Sequence, residues 1–372
     1  MKRLRVAVVG AGRLGSFHAQ KLAAMEHVEL VGVADPLEAQ RNRLAAECRT
    51  LPFADHRPLL DRAQAAVIAV PTRLHHALGM ECLGRGLHVL MEKPLAATAA
   101  EADDLVQAAR RNRLVLQVGH VERFNPALEA AIGCARAPKY IQAVRASAFT
   151  FRSTDIGVVL DLMIHDLDIV LSLVRSEARR VDALGLSVLG GQEDVANARV
   201  EFACGCVASL SASRVSHEAS RRMQVWSERG FAEIDFAARR TTLVRPSDTL
   251  LARRFDVDAL TPAEIEHYRQ HLLEEHLPRE QVRSEAVDAL ALELADFVQS
   301  IRASRPPRVD GQQGRDAVAL AERILEAIQN HAWDNTLGGP VGPLVAPRRS
   351  ILPGPHWQIA PSRPAVARKE AG

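Results

Sequence analysis

Residues 4 to 10, LRVAVVG, form a short apolar, β-branched run that ends in Gly10-Ala-Gly12-Arg-Leu-Gly15 and passes into a helical pattern through Phe17, Leu22 and Met25. Few folds accept a strand, a glycine-rich turn and a helix in that order. Gly10 permits the tight turn, Gly12 lets backbone approach a pyrophosphate, and Gly15 lets the helix pack on the strand with its N-terminus aimed at the phosphates. Arg13 and Leu14 lie in the same turn. A second strand, 28 to 34 (VELVGVA), then delivers Asp35, twenty residues after Gly15, where an acid can bind both ribose hydroxyls. That acid repels a 2′-phosphate and favours NAD, while Arg41 and Arg43 nearby leave NADP open.

The alternation continues. Ala65 to Val70 reads as a buried strand, Leu74 to Arg85 as a helix, Leu87 to Met91 as a strand, Ala99 to Arg111 as a helix and Leu114 to Val118 as a strand. Such a pattern predicts an α/β chain whose first domain, residues 1 to 120, is a doubly wound parallel sheet of the Rossmann kind. Ligands sit at the carboxyl ends of its strands. One end carries Val70-Pro71-Thr72 with His75 a turn later; another carries Glu92-Lys93-Pro94, where the proline holds Lys93 extended at the strand's edge and facing the cofactor crevice. These residues join the glycine turn and Asp35 as the expected cofactor-binding set. His18 and His76 read as packing residues.

The stretch DIGVVLDLMIHDLD, Asp155 to Asp168, concentrates ionisable groups in an apolar helix. Asp161, His165 and Asp168 stand at i, i+4 and i+7, on one stripe. Buried charges are costly unless paired or functional, so the stripe is either a solvated face or a site. His120, Arg123 and Asn125, in GHVERFNP at the domain junction, are substrate-holding candidates beside Asp161 and His165, with a structural role equally open for each of the three.

With these motifs the chain resembles the Gfo/Idh/MocA oxidoreductases, sugar and cyclitol dehydrogenases with a Rossmann domain followed by an α/β domain. The resemblance rests on GAGRLGSFHA, VPTRLHH, MEKPLA, GHVERFNPA, DIGVVLDLMIHDLD and, downstream, ELADFVQSIRASRPPRVDGQQGRDAVALAERI. It implies that Lys93, Asp161 and His165 are the catalytic group. The family often has glycine two residues after the aspartate, where this chain has Met163, a side chain that narrows the space beside the substrate. The runs GHVERFNPA and DIGVVLDLMIHDLDIV look most like the branch that oxidises C3 of UDP-N-acetylglucosamine, a sugar-nucleotide step toward a diamino-sugar lipid A. Other readings are another sugar or cyclitol dehydrogenase, an NAD-retaining glycosidase, and a non-catalytic NAD-sensing regulator. In the dehydrogenase reading His165 takes the hydroxyl proton and Lys93 stabilises the developing alkoxide, roles the two could exchange, while Asp161 holds the imidazole's tautomer or an adjacent hydroxyl.

Residues 121 to 332 should form the substrate and oligomerisation domain, an α+β unit with a large, mostly antiparallel sheet from strands near 140–149, 181–189, 196–203, 207–215, 223–227 and 231–236. The helix at 157–173 should lean over the Rossmann crevice, and helices at 290–301 and 317–328 should both pack on this sheet. Residues 262 to 283 are charged and helix-prone; His267 and His271 lack a clear third ligand, so no metal is expected. The sheet's other face suits a homodimer or homotetramer, which the family resemblance also implies. Residues 333 to 372 read as an irregular, Pro- and Gly-rich tail ending basic. With 47 basic against 45 acidic residues, intermixed, neither nucleic acid nor a membrane surface is an expected partner. Five cysteines without CxxC spacing, no long apolar run and no signal-peptide pattern at the N-terminus lead to a cytoplasmic expectation.

Overall fold

The computed structural model describes residues 2–151, 153, 155–189, 191–333, 339 and 341. Two sheets organise it. The first contains β1 (Leu4–Val9), β2 (Val28–Ala34), β3 (Pro52–Phe53), β4 (Ala65–Ile68), β5 (His88–Glu92) and β6 (Leu116–Gly119). They run in the order β3-β2-β1-β4-β5-β6, every pair parallel, and the order reverses beside β1. That reversal is the crevice where a dinucleotide lies across such a sheet. The strands are buried on both faces, as their unbroken Val/Ile/Ala runs require, by α1 (Arg13–Ala24), α2 (Glu38–Cys48), α3 (Arg57–Leu60), α4 (His75–Gly84) and α5 (Ala99–Arg111).

After α6 (Pro126–Ala131) comes an eight-stranded sheet: β7 (Pro138–Ala146), β8 (Ala178–Leu186), β9 (Val195–Phe202), β10 (Val207–Ser213), β11 (Ser220–Ser227), β12 (Gly230–Asp235), β13 (Arg240–Val244) and β14 (Arg279–Arg283), ordered β14-β13-β12-β11-β7-β10-β9-β8. It is antiparallel except for β7 and β10, which pair in parallel because α7 (Ile164–Val174), β8 and β9 intervene as a crossover between them. β13 and β14 escape the sequence pattern. The stretch expected to be helical as far as 283 stops with α9 (Pro262–His276), after the one-turn α8 (Asp248–Leu251), and Arg279–Arg283 instead zips onto β13 as an exposed edge strand.

The last two helices divide between the sheets, against the expectation that both would cover the second. Leu294, Phe297 and Val298 of α10 (Ala289–Ala303) are buried with Val6, Val8, Leu22 and Leu44, so this helix closes the Rossmann face beside α1. By contrast α11 (Gly311–Asn330) lies between α5 on one side and α7 and β8 on the other. Its capping box, Asp310 with Gln313, fixes its start, and a Cβ at Gly314 would fall 2.4 Å from Val118, so glycine is what lets the helix approach β6. One helix thus ties the two sheets together. The tail beyond Trp333 lies outside the described residues apart from Gly339 and Val341, the latter bridging to Leu186.

Candidate active site

Local backbone chemistry builds the cofactor side. Gly10 has φ 100°, and a Cβ there would sit 2.1 Å from the Ala69 carbonyl; one at Gly15 would sit 1.8 Å from the Gly10 carbonyl. Neither position accepts a side chain. Around Gly12 there is no atom within 4 Å of a Cβ position, so open space lies over the N-terminus of α1, the place for a pyrophosphate. Asp35 ends β2 with one carboxylate oxygen accepting from the Ala11 amide at 2.7 Å and the other from the Leu37 amide at 2.8 Å. Each oxygen keeps a lone pair for a ribose hydroxyl. Arg43 pairs with Glu47 at 2.8 Å, and Arg41 donates to the carbonyl of Pro36 at 3.0 Å. The Asp35 acceptors, with both arginines engaged by protein groups, fit NAD.

From the glycine turn a cleft of about 540 Å³ runs between the sheets, lined by Arg13, Leu14, Val70, Pro71, Thr72, Glu92 and Lys93 on the Rossmann side and by Asp161, His165 and three arginines opposite. Lys93 stands at the end of β5 before a cis peptide to Pro94. Its ammonium donates to the Asp161 carboxylate at 3.0 Å and to the Asp161 carbonyl at 2.6 Å, leaving its third hydrogen uncommitted among the described contacts. Glu92 beneath it accepts from His18 at 2.7 Å. Burial pushes the Glu92 carboxyl up, but the His18 bond and the charges of His18 and Lys93 outweigh burial and hold it below its ordinary range.

The helix opposite is not the regular stripe its spacing suggests. Val159–Met163 form a wide π turn before α7 begins, so Asp161 swings toward Lys93 while Asp168 turns to the far side, buried and paired with Arg123 at 3.1 Å. π turns inside helices are frequent at functional sites. Glu193 holds this turn in place: it accepts from the Val159 amide at 3.1 Å, in a space that exists because residue 157 is glycine, where a Cβ would lie 2.0 Å from the carboxylate. His165 faces the cleft with Nδ1 buried and unpartnered, so Asp161 does not set its tautomer; Asp161 is committed to Lys93 instead. Burial, then the charges of Lys93 and Arg145, holds the His165 imidazole well below its ordinary pKa, hence neutral at pH 7.

Several expected contacts lie elsewhere. His75 is buried, its two nitrogens against the carbonyls of Pro94 at 2.8 Å and Val70 at 2.9 Å; it braces the two strand ends and does not line the cleft. Asn125 caps α6 through the Ala127 amide at 3.1 Å and is spent on Glu122 and the Phe236 carbonyl. Arg123 lines a different groove beyond α7. His120 sits behind His165, edge to face with ring centroids 6.1 Å apart. A fixed 3.6-residue period could not anticipate these placements, because each is set by a partner distant in sequence.

The pattern also hides Arg145, Arg214 and Arg221, all on the cleft wall. Arg145 is bound by both oxygens of Asp166, at 2.8 and 3.0 Å, and by Glu122 at 3.0 Å. Burial works against its charge, but these carboxylates keep it protonated. One signal was available: in KYIQAVRA the alternation that buries Ile141 and Ala143 places Arg145 on the same inward face. A charge in an inward phase marks a paired or functional group.

A doubly wound sheet with a fitted dinucleotide cradle, facing a lysine–aspartate pair and a neutral imidazole, defines an NAD-dependent oxidoreductase. The chain belongs to the Gfo/Idh/MocA family: the model of the oxidoreductase family with an NAD-binding Rossmann fold matches residues 4–120, and that of the GFO/IDH/MocA C-terminal domain matches 128–233. It is similar to UDP-N-acetylglucosamine 3-dehydrogenase of Acidithiobacillus ferrooxidans, with 36% identity over 340 residues, 88% of this chain and 98% of the relative. A solved structure of that enzyme superposes with a TM-score of 0.77 at 34% identity, covering 88% and 98% of the two chains. Myo-inositol 2-dehydrogenase of Thermotoga maritima is 24% identical over 369 residues, 90% of this chain and all of that one. A levoglucosan dehydrogenase complex with NADH and levoglucosan, 18% identical with a TM-score of 0.75 over 88% of this chain and 97% of that one, shares the fold.

Proposed function

We propose that this enzyme oxidises the C3 hydroxyl of UDP-N-acetylglucosamine to the 3-keto sugar nucleotide, and that Lys93, Asp161 and His165 do the chemistry. The observation that carries the reading is the convergence of these three side chains, one from the end of β5 and two from the π turn and α7, on one cleft that opens onto the dinucleotide cradle. The 36% identity, spread over 98% of the relative, supports the choice of substrate.

Bound NAD supplies the acceptor for the hydride that leaves C3 as the alcohol becomes a ketone. Lys93 offers its remaining N–H to the C3 oxygen, so that positive charge faces the developing alkoxide. Asp161 fixes the lysine: two contacts from one residue, carboxylate and carbonyl, leave the ammonium little freedom. His165, neutral because buried, accepts the hydroxyl proton at Nε2, since Nδ1 is turned inward. Glu92 and His18 hold the lysine's strand end from below.

The same reading assigns residues 1–120 to cofactor and 121–332 to substrate and assembly. Tyr140, Trp226 and Phe231 stack at 5.1 and 4.9 Å on the face of the second sheet away from its helices, which favours a homo-oligomer built through that face. No described helix is long and apolar enough to cross a membrane. The test is to incubate the enzyme with NAD and UDP-N-acetylglucosamine, follow NADH absorbance and identify the product by mass. NADH with a keto sugar nucleotide two mass units lighter is the expected result. Free N-acetylglucosamine without net NADH marks an NAD-retaining glycosidase, and NAD binding without turnover of any sugar marks a regulator.

A further inference from the structure

Beyond the reacting groups the cleft wall carries a cation and an aromatic ring, Phe149 with Phe151 packed on it, that the chemistry at Lys93 does not use. Arg145 and Arg221 stand directly opposite each other on β7 and β11, like charges in register, an arrangement that costs stability unless anions share it. Asp166 and Glu122 are consumed by Arg145. Arg214 is likewise spent, on Asp194 at 2.7 Å and the Ile156 carbonyl at 2.7 Å. Arg221 remains 56% exposed, its closest carboxylate the already engaged Glu122 at 3.9 Å. A guanidinium is thus presented to the cleft with its donor fork unfilled, a geometry suited to phosphate oxygens.

The aromatic pair lies where the chain leaves β7. Phe149 lines the cleft under the Arg214 guanidinium, 5.5 Å from the ring centroid, and Phe151 meets it edge to face at 5.1 Å. Phe151 is 85% exposed and held at φ 54°, a conformation that bulky residues rarely adopt. An exposed ring on a strained backbone, packed on a ring that lines the cleft, costs stability that contact with a ligand would offset.

Resting on the sugar-nucleotide reading above, we propose that this outer wall is the subsite for the nucleoside diphosphate, with Arg221 taking the diphosphate and Phe151, seated against Phe149, stacking the pyrimidine base. The two halves recognise separate chemical groups, so they are separable by experiment. Calorimetry on the full-length, NAD-saturated enzyme would compare UDP, uridine and inorganic pyrophosphate. Arg221→Ala should weaken UDP and pyrophosphate by about 10- to 100-fold and leave uridine near its wild-type affinity. Phe151→Ala should weaken UDP and uridine by about 5- to 100-fold and leave pyrophosphate unchanged, with Phe151→Tyr restoring uridine. Unaltered NAD affinity in each variant certifies the fold. Wild-type enzyme that does not bind UDP, or variants that lose all three probes equally or none, overturn the subsite. Wild-type enzyme that binds UDP with this variant pattern yet never oxidises UDP-N-acetylglucosamine upholds the subsite and refutes the substrate reading, whereas oxidation with unaltered UDP binding in both variants does the reverse.

Discussion

Replacing Lys93 by methionine keeps the aliphatic stem and removes the ammonium that links the two halves of the cleft. Two hydrogen bonds to Asp161 disappear, and the Asp161 carboxylate, 18% exposed, is left without its ion-pair partner. Breaking a fully buried pair costs about 3–5 kcal/mol. This pair opens on a cleft that water enters, so about 1–3 kcal/mol of stability is the expected loss. Turnover should fall further, by about 10²- to 10³-fold, the usual worth of one preorganised donor at a developing oxyanion. The cycle with Asp161→Asn separates the two effects. Neutralising the orphaned carboxylate in the double variant should return most of the lost stability, because no charge is then unpaired, while turnover stays low because the donor is still missing. Urea unfolding and NADH absorbance on the four proteins of the cycle read both. Additive stability losses, or a Lys93→Met enzyme within tenfold of wild-type turnover, would refute the argument.

His165→Ala should lower turnover by about 10²- to 10⁴-fold with NAD affinity retained. Because burial depresses this imidazole well below 6.5, its neutral, proton-accepting form persists on acidification, so kcat/KM should hold from pH 7 to pH 6 and fall only as pH drops through the depressed value; a limb centred at 6.5 would contradict the geometry. Glu293, fully buried on α10 with neither oxygen partnered, has a carboxyl raised well above its ordinary range by burial and by the charges of Glu92, Asp296 and Asp168. The native state therefore keeps a proton that the unfolded chain releases above about pH 4.5, and stability is lost as pH rises from there; Glu293→Gln should remove that loss and gain up to about 3 kcal/mol over wild type at pH 7, with no gain at pH 4. Equal gains at both pH values would show another cause. Gly157→Ala should drive the Glu193 carboxylate off the π turn, costing about 1–3 kcal/mol and, unlike a surface change, lowering kcat through misplacement of Asp161; unchanged urea midpoint and kcat would sink that assignment.

What the sequence determined is the part governed by local rules. A strand–GxGxxG–helix unit has one workable geometry, because Gly10 and Gly15 each meet a carbonyl within about 2 Å of any added Cβ, and buried parallel strands must be apolar throughout. The fold of the first sheet, its cofactor edge, Asp35 and the position of Lys93 at a strand end were therefore legible. The same holds for β7, β10 and β11, whose alternation survives in the structure. What only tertiary structure decided depends on partners far apart in the chain. Glu193 selects a π turn over a regular helix, and that turn sends Asp161 to Lys93 and Asp168 to Arg123 where even spacing would align them. β14 exists because β13 offers a free edge, not because REQVR favours a strand. Arg145 tolerates burial through Asp166 and Glu122, and by engaging them leaves Arg221 on the cleft wall with a 3.9 Å contact to Glu122. Periodicity describes a segment against one flat surface; a charged pair is a contact between two segments, and its geometry is fixed only when both have folded.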